Sequence, residues 1–198
     1  MPDTTLHAPA QARPVVRPAG RAIAVVLGAA LVALSAQVAI PVPLSPVPFT
    51  LQALAVLVVG GVLGPTAGAA SLVLYLTAGI LGMPVFAGGT AGVARLLGPT
   101  GGYLLAFPVA AAVTGHLAGR GADRARWGRA LLAAIAGMIL IHAGGIAQLS
   151  ILAGSLTHGL RVSVLELGLL PFLVVDLVKV AIAAIAIAGA GPRLRPLT

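Results

Sequence analysis

Between Arg21 and Arg120 the chain carries a single formal charge, Arg95. A segment so poor in charge does not present a surface suited to water. In lipid, every backbone N–H and C=O must be satisfied within the chain, which leaves helices as the simplest solution for long apolar runs. Of the 198 residues, 59% are hydrophobic and 8% are charged, against roughly 25% charged in soluble domains. The expected fold is an all-α integral membrane protein. The sequence has no cysteine, so disulfides and thiolate chemistry are excluded. Its formal net charge of +8 comes from basic residues at the edges of apolar runs, a topological signal rather than a phosphate-binding stripe.

Six apolar runs are read as transmembrane helices: residues 22–40, 51–63, 66–82, 103–119, 130–152 and 165–190. The first follows a basic start, as a signal peptide does. It is longer than the usual apolar core of such a peptide, and residues 35–39 make a poor cleavage site, so a retained helix is expected. Prolines at 41, 43, 46 and 48 forbid a helix over residues 41–50, which reads as a stiff, extended connector. Pro108 predicts a kink in the fourth helix. The near-identical LGPTAG (63–68) and LGPTGG (97–102) read as punctuation at helix starts rather than as a repeat. Residues 1–20 are expected to be a disordered cytoplasmic tail, 21–191 the six-helix membrane domain and 192–198 a cytoplasmic C-terminal tail.

Six crossings put both termini on one side. With the N-terminus in the cytoplasm, Arg13, Arg17, Arg21, Arg120, Arg124, Arg126, Arg129, Arg193 and Arg195 lie inside. Arg95 and Arg161 lie outside, and Lys179 is within a span. That bias fits the positive-inside rule. The loop between helices 3 and 4, residues 83–103, is then extracytoplasmic. Six of its residues are glycine, two are proline, and Arg95 is its one charge. A long apolar loop with that backbone freedom is expected to fold back onto the protein as a lid. Arg95 then either faces an acidic ligand or stands as a surface charge at the membrane boundary.

Asp176 and Lys179 stand three apart on one face of the last run, near its middle. Each such charge at a helix centre costs roughly 2.5–3.5 kcal/mol on insertion scales, so the two together need pairing or a wet cavity. The alternatives are an ion pair that locks helices together and a ligand site offering both an acceptor and a donor. Gln52, Tyr75, Phe86 and Tyr103 would supply apolar walls with polar tips. Glu166, at the start of its helix, suits the helix dipole, and His142 and Gln148 are expected to hydrogen-bond between helices. Ala29 and Ala33 form a small-xxx-small face for close helix approach. There is no nucleotide-binding G-x-x-x-x-G-K-[ST] signature and no paired-histidine metal motif. Residues 153–156 match a nucleophile elbow poorly. An enzyme is not expected.

The run IPVPLSPVPFTLQALAVLVVGGVLGP, then YLTAGILGMPVFAGGTAGVARLLGPTGGYL and FLVVDLVK, resembles the BioY family, the biotin-specific S components of energy-coupling factor (ECF) transporters. The resemblance implies six helices around an outward-facing biotin site in a bacterial inner or plasma membrane. It implies as partners a membrane-embedded coupling subunit and two cytoplasmic ATPase subunits, with biotin as substrate and no cofactor. It suggests Asp176 as acceptor for the ureido N–H groups, Lys179 as donor to the carbonyl or the carboxylate, and Arg95 as partner of the carboxylate or latch of the loop. Ala29 and Ala33 would meet the coupling subunit. The residues alone leave open another small anionic vitamin, and more distantly a membrane enzyme or a structural bundle.

Overall fold

The computed structural model describes residues 18–43, 45–119, 125–156 and 163–190. Of the tails expected at 1–20 and 192–198, residues 1–17 and all of the second lie outside the described residues, as do part of the arginine-rich segment and the loop carrying Arg161. Pro18, at the first position of a helix, loses no hydrogen bond and presets φ. The first helix, α1, accordingly starts there and runs over Pro18–Gln37, so residues 18–20 are helical rather than tail. The proline-rich connector is not simply extended. Its ends pair as an antiparallel hairpin, β1 (Ala39–Ile40) with β2 (Phe49–Thr50), in the register Ala39↔Thr50 and Ile40↔Phe49. All four prolines fall between the paired residues, so their missing N–H groups cost the ladder nothing.

Helix α2 spans Gln52–Ile80 and contains Pro65. As a continuous rod its 29 residues would be about 44 Å long. It is broken at Gly64, whose φ of 83° is a region that favours glycine. The two limbs fold back on each other. Tyr75 and Gln52, which a straight helix would hold about 35 Å apart, share a long hydrogen bond of 3.5 Å. A methyl group at Gly68 would lie 2.8 Å from the Cα of Gly60.

Beyond α2 the chain makes a short 3-10 turn at Ala87–Gly89, a one-turn helix α3 (Ala94–Leu97), and then α4 (Gly101–Ala118), within which Pro108 lies. Helix α5 runs from Arg126 to Leu156, so residues 154–156, expected in a loop, are helical. The expected final span is divided into α6 (Val164–Gly168), a turn over residues 169–172, and α7 (Leu173–Ala190). Pro171 in that turn has no N–H to give to a helix. Ser163 and Glu166 form a capping box on α6, with Ser163 N–H donating to Glu166 Oε2 at 2.6 Å and Glu166 N–H to Ser163 Oγ at 3.2 Å. Glu166 is therefore structural, and the donated backbone N–H holds its carboxyl below the usual range. What it adds to stability is present above the ordinary carboxylate pKa and is lost as pH falls through the lowered value.

Among the described residues five helices, α1, α2, α4, α5 and α7, are long and apolar enough to cross a membrane. Helix α2 is central, packing on α1, α4 and α7, while α5 packs on α4 and α7. Hydrophobicity cannot hold helices together inside lipid, so close backbone approach must. A methyl group on Gly60 would overlap the Ala111 backbone, and one on Gly115 would lie 2.5 Å from the Gly60 carbonyl oxygen. At one end of the bundle Arg21 Nη2 donates to Thr66 Oγ1 at 2.8 Å, joining the start of α1 to the turn of α2. The hairpin and the glycine-rich loop lie at the other end. Gly60→Val is expected to destabilise the folded chain by about 1–3 kcal/mol through overpacking. Gly128→Ala, with nothing within 4 Å, should leave stability unchanged or raised. Unfolding curves in detergent check both.

Candidate functional site

A cavity of about 670 Å³, its open mouth included, lies at the end formed by the hairpin and the glycine-rich loop. Each element contributes side chains to it for a local reason. The hairpin folds back and brings in Val47, Pro48 and Thr50, and the first turn of α2 adds Gln52 and Ala53. The glycine-rich loop supplies Phe86, Ala87, Thr90, Arg95 and Thr100. Hydrogen bonds tie this loop to the protein. Gly92 N–H donates to the Gly79 carbonyl at 2.8 Å, and Phe86 N–H to the Thr90 carbonyl at 2.9 Å. Gly79 leaves room for the Phe86 ring, which would overlap any side chain there. From α5, Gln148 Nε2 donates to the carbonyls of both Leu96 and Gly98 at 2.8 Å, pinning the far end of the loop.

Tyr103, Leu104 and Phe107 face the cavity from α4, and Met138, Ile141 and His142 from α5. The 138–141–142 spacing is one helical face. Tyr103 Oη donates to the Gly168 carbonyl at 2.7 Å, and its ring fits against α5 only because residue 145 is glycine. Phe172, Asp176 and Lys179 close the wall from the α6–α7 side.

The polar centre of the site is a cluster on α5 and α7. Lys179 Nζ donates to Asp176 Oδ1 at 2.7 Å, and His142 Nε2 lies 2.8 Å from Asp176 Oδ2. Both charged residues are only 6% exposed. The Lys179 ammonium also sits 5.8 Å from the Phe49 ring centroid, and Phe49 in turn meets Phe172 edge-on at 4.9 Å. Asp176 is not near the middle of a helix. It occupies the first turn of α7, because the Pro171 turn starts the helix late, and the partial positive charge of that helix end favours a carboxylate. Arg95 lines the same cavity and, among the described residues, forms no ion pair.

Six of the seven residues expected at a ligand site, Gln52, Phe86, Arg95, Tyr103, Asp176 and Lys179, therefore line one cavity. Tyr75 does not. It is buried behind the wall, edge-on to Phe86 at 5.6 Å, where it backs Phe86 and Gln52. The Ala29/Ala33 face is also placed differently from the expectation of a partner surface. Ala29 is buried and Ala33 packs against the chain's own core, since α1 turns its small residues toward α2. The outward face of α1 carries Ile23, Leu27, Leu31 and Leu34. Sequence reasoning left His142, Phe49 and Phe172 out of the site. A polar residue in register with Met138 on an otherwise apolar helix was the available signal for His142; nothing in the local sequence singles out the two phenylalanines.

Two outcomes follow from this geometry. Asp176→Leu leaves a buried ammonium unpaired and should cost about 3–5 kcal/mol of stability, much of it recovered by adding Lys179→Met; unfolding curves of the single and double variants check this. Gln148→Leu should raise hydrogen–deuterium exchange at residues 96–101 by about tenfold or more, the loss of one or two hydrogen bonds, with exchange in α7 unchanged.

Comparison with known proteins gives a consistent result. The model of the BioY family matches residues 8–195. A protein of Pyrococcus horikoshii described as a probable biotin transporter is 40% identical over 161 residues, 81% of this chain and 90% of that one. A biotin transporter of Thermotoga maritima is 38% identical over 146 residues, covering 74% and 82%. The solved S-component for biotin from an ECF-type ABC transporter has the same fold, with a TM-score of 0.75 at 24% identity over 86% of this chain and 90% of that one.

Proposed function

The chain belongs to the BioY family, and from that premise we propose that it is the biotin-binding membrane component of an ECF-type vitamin uptake system rather than an enzyme. The observation that carries the site assignment is Arg95, without an ion-pair partner among the described residues, on the same cavity as the Asp176–Lys179 pair. Lys179 is already paired with Asp176, so among the described residues Arg95 is the lining cation without an anionic partner. Biotin carries one carboxylate. Its ureido head presents N–H donors and a carbonyl, which match the Asp176 carboxylate and the Lys179 ammonium. Phe86, Phe107 and Tyr103 suit its apolar body. On this reading Arg95 meets the carboxylate tail, and Lys179 serves the head.

The two limbs of α2 cross the membrane separately, making six crossings. Arg21, Arg126 and Arg129 then lie at the cytoplasmic end by the positive-inside rule, both termini with them, and the cavity opens to the exterior. The folded loop with its glycine turns acts as the lid. The absence of a nucleotide-binding signature from the sequence supports energy from outside the chain: a membrane-embedded coupling subunit and cytoplasmic ATPases.

Calorimetric titration of the detergent-solubilised chain tests this. Biotin should bind, and biotin amidated at its tail should bind about 10- to 100-fold more weakly, the worth of a charge-assisted hydrogen bond. Arg95→Gln should abolish the difference between the two. Equal binding of both by the unaltered chain removes Arg95 as the carboxylate partner. No binding of biotin by a folded sample sinks the assignment and favours another small anionic vitamin.

A further inference from the structure

His142 reaches the cavity from α5, and its 2.8 Å contact with Asp176 Oδ2 joins that helix to α7 across 34 residues of sequence. Lys179 already occupies Oδ1. A carboxylate only accepts hydrogen bonds, so the hydrogen of the contact belongs to Nε2. The other ring nitrogen, Nδ1, is buried and has no hydrogen-bond partner among the described residues. Of the two neutral tautomers, the contact selects the one with hydrogen on Nε2. The ring is steadied from the side by Tyr103, edge-on at 6.0 Å and 83°, and Tyr103 is itself tied to Gly168.

We propose that His142 is a positioning residue for ligand capture: its Nε2–H fixes the rotation of the Asp176 carboxylate. With Oδ2 held from α5 and Oδ1 held from α7, the carboxylate spans the two helices and keeps its remaining lone pairs for N–H donors in the cavity. Without His142 the carboxylate is free to turn both oxygens toward Lys179. It then spends on an internal ion pair the acceptors that the ligand needs. Arg95 and Lys179 remain cations of the site and Asp176 its anion. The inference rests on the biotin-capture reading of the same cavity.

The test compares biotin binding by the full chain and by His142→Leu and His142→Gln, with His142→Leu repeated in an Asp176→Asn background. Nitrogen-15 spectra of the ligand-free chain labelled at histidine, assigned through His142→Gln, report the tautomer. His142→Leu should weaken binding about 10- to 100-fold, the effect of losing a hydrogen bond to a charged group. His142→Gln, whose amide nitrogen reaches the place of Nε2, should recover most of that loss. In the Asp176→Asn background His142→Leu should change affinity by no more than about twofold, since a residue acting through another has no independent effect. The ring should show a protonated Nε2 and a bare Nδ1. Unchanged affinity in His142→Leu, equal loss in the Leu and Gln variants, full additivity with Asp176→Asn, or a ring protonated on Nδ1 each overturns the positioning role and leaves biotin capture standing. If the unaltered chain does not bind biotin, capture itself fails and the positioning role fails with it, while the spectrum still reads the His142–Asp176 contact by itself.

Discussion

A carboxylate and an ammonium buried together in an apolar bundle govern the rest of this structure. Such a pair is stable only if its charges are matched and its hydrogen-bonding capacity is used. Here the 2.7 Å contact between Lys179 and Asp176 supplies the match, His142 takes the second carboxylate oxygen, and the face of Phe49 receives the ammonium. The late start of α7 places the carboxylate at a helix end whose partial charge favours it. Each of these depends on a different element. Pro171 sets where α7 begins, the hairpin delivers Phe49, and α5 delivers His142.

Bringing those elements together requires helices to approach closely where apolar burial provides no drive between them. The bundle answers with glycine at its crossings. Gly102 and Gly144 let α4 and α5 meet, a methyl group on Gly144 lying 2.6 Å from the Gly102 carbonyl oxygen, and Gly60 and Gly115 do the same for α2 and α4. The base of the cavity is thereby set on tightly packed helices. Its cover is a loop held by a few hydrogen bonds, the Gln148 pair and the Gly92–Gly79 contact among them. A packed base under a lightly held cover suits capture and release, because opening costs a few hydrogen bonds rather than a helix interface.

Charge is distributed by end as well. Arg21 and Arg126 belong to the end away from the cavity, with Arg126 stacked 5.6 Å from the Trp127 ring centroid, whereas among the described residues Arg95 is the cation of the cavity end outside the buried cluster.

Much of this was legible in the amino-acid sequence. Apolar runs are set by local composition, so the membrane class, most helices and the break at Gly64-Pro65 could be read directly. Arg95, Asp176 and Lys179 stood out because a charge in an apolar chain has no inconspicuous place to go. Only the tertiary structure decided the partners. Whether Tyr75 lines the cavity or stands behind it, which way Ala29 faces, and that His142 meets Asp176 depend on helix rotation and on contacts between residues far apart in sequence, which no local pattern specifies. The depth of Asp176 changed for a similar reason. Residues 165–190 are rich in apolar side chains on both sides of Pro171, and it is the turn at that proline that converts a mid-span charge into one at a helix start.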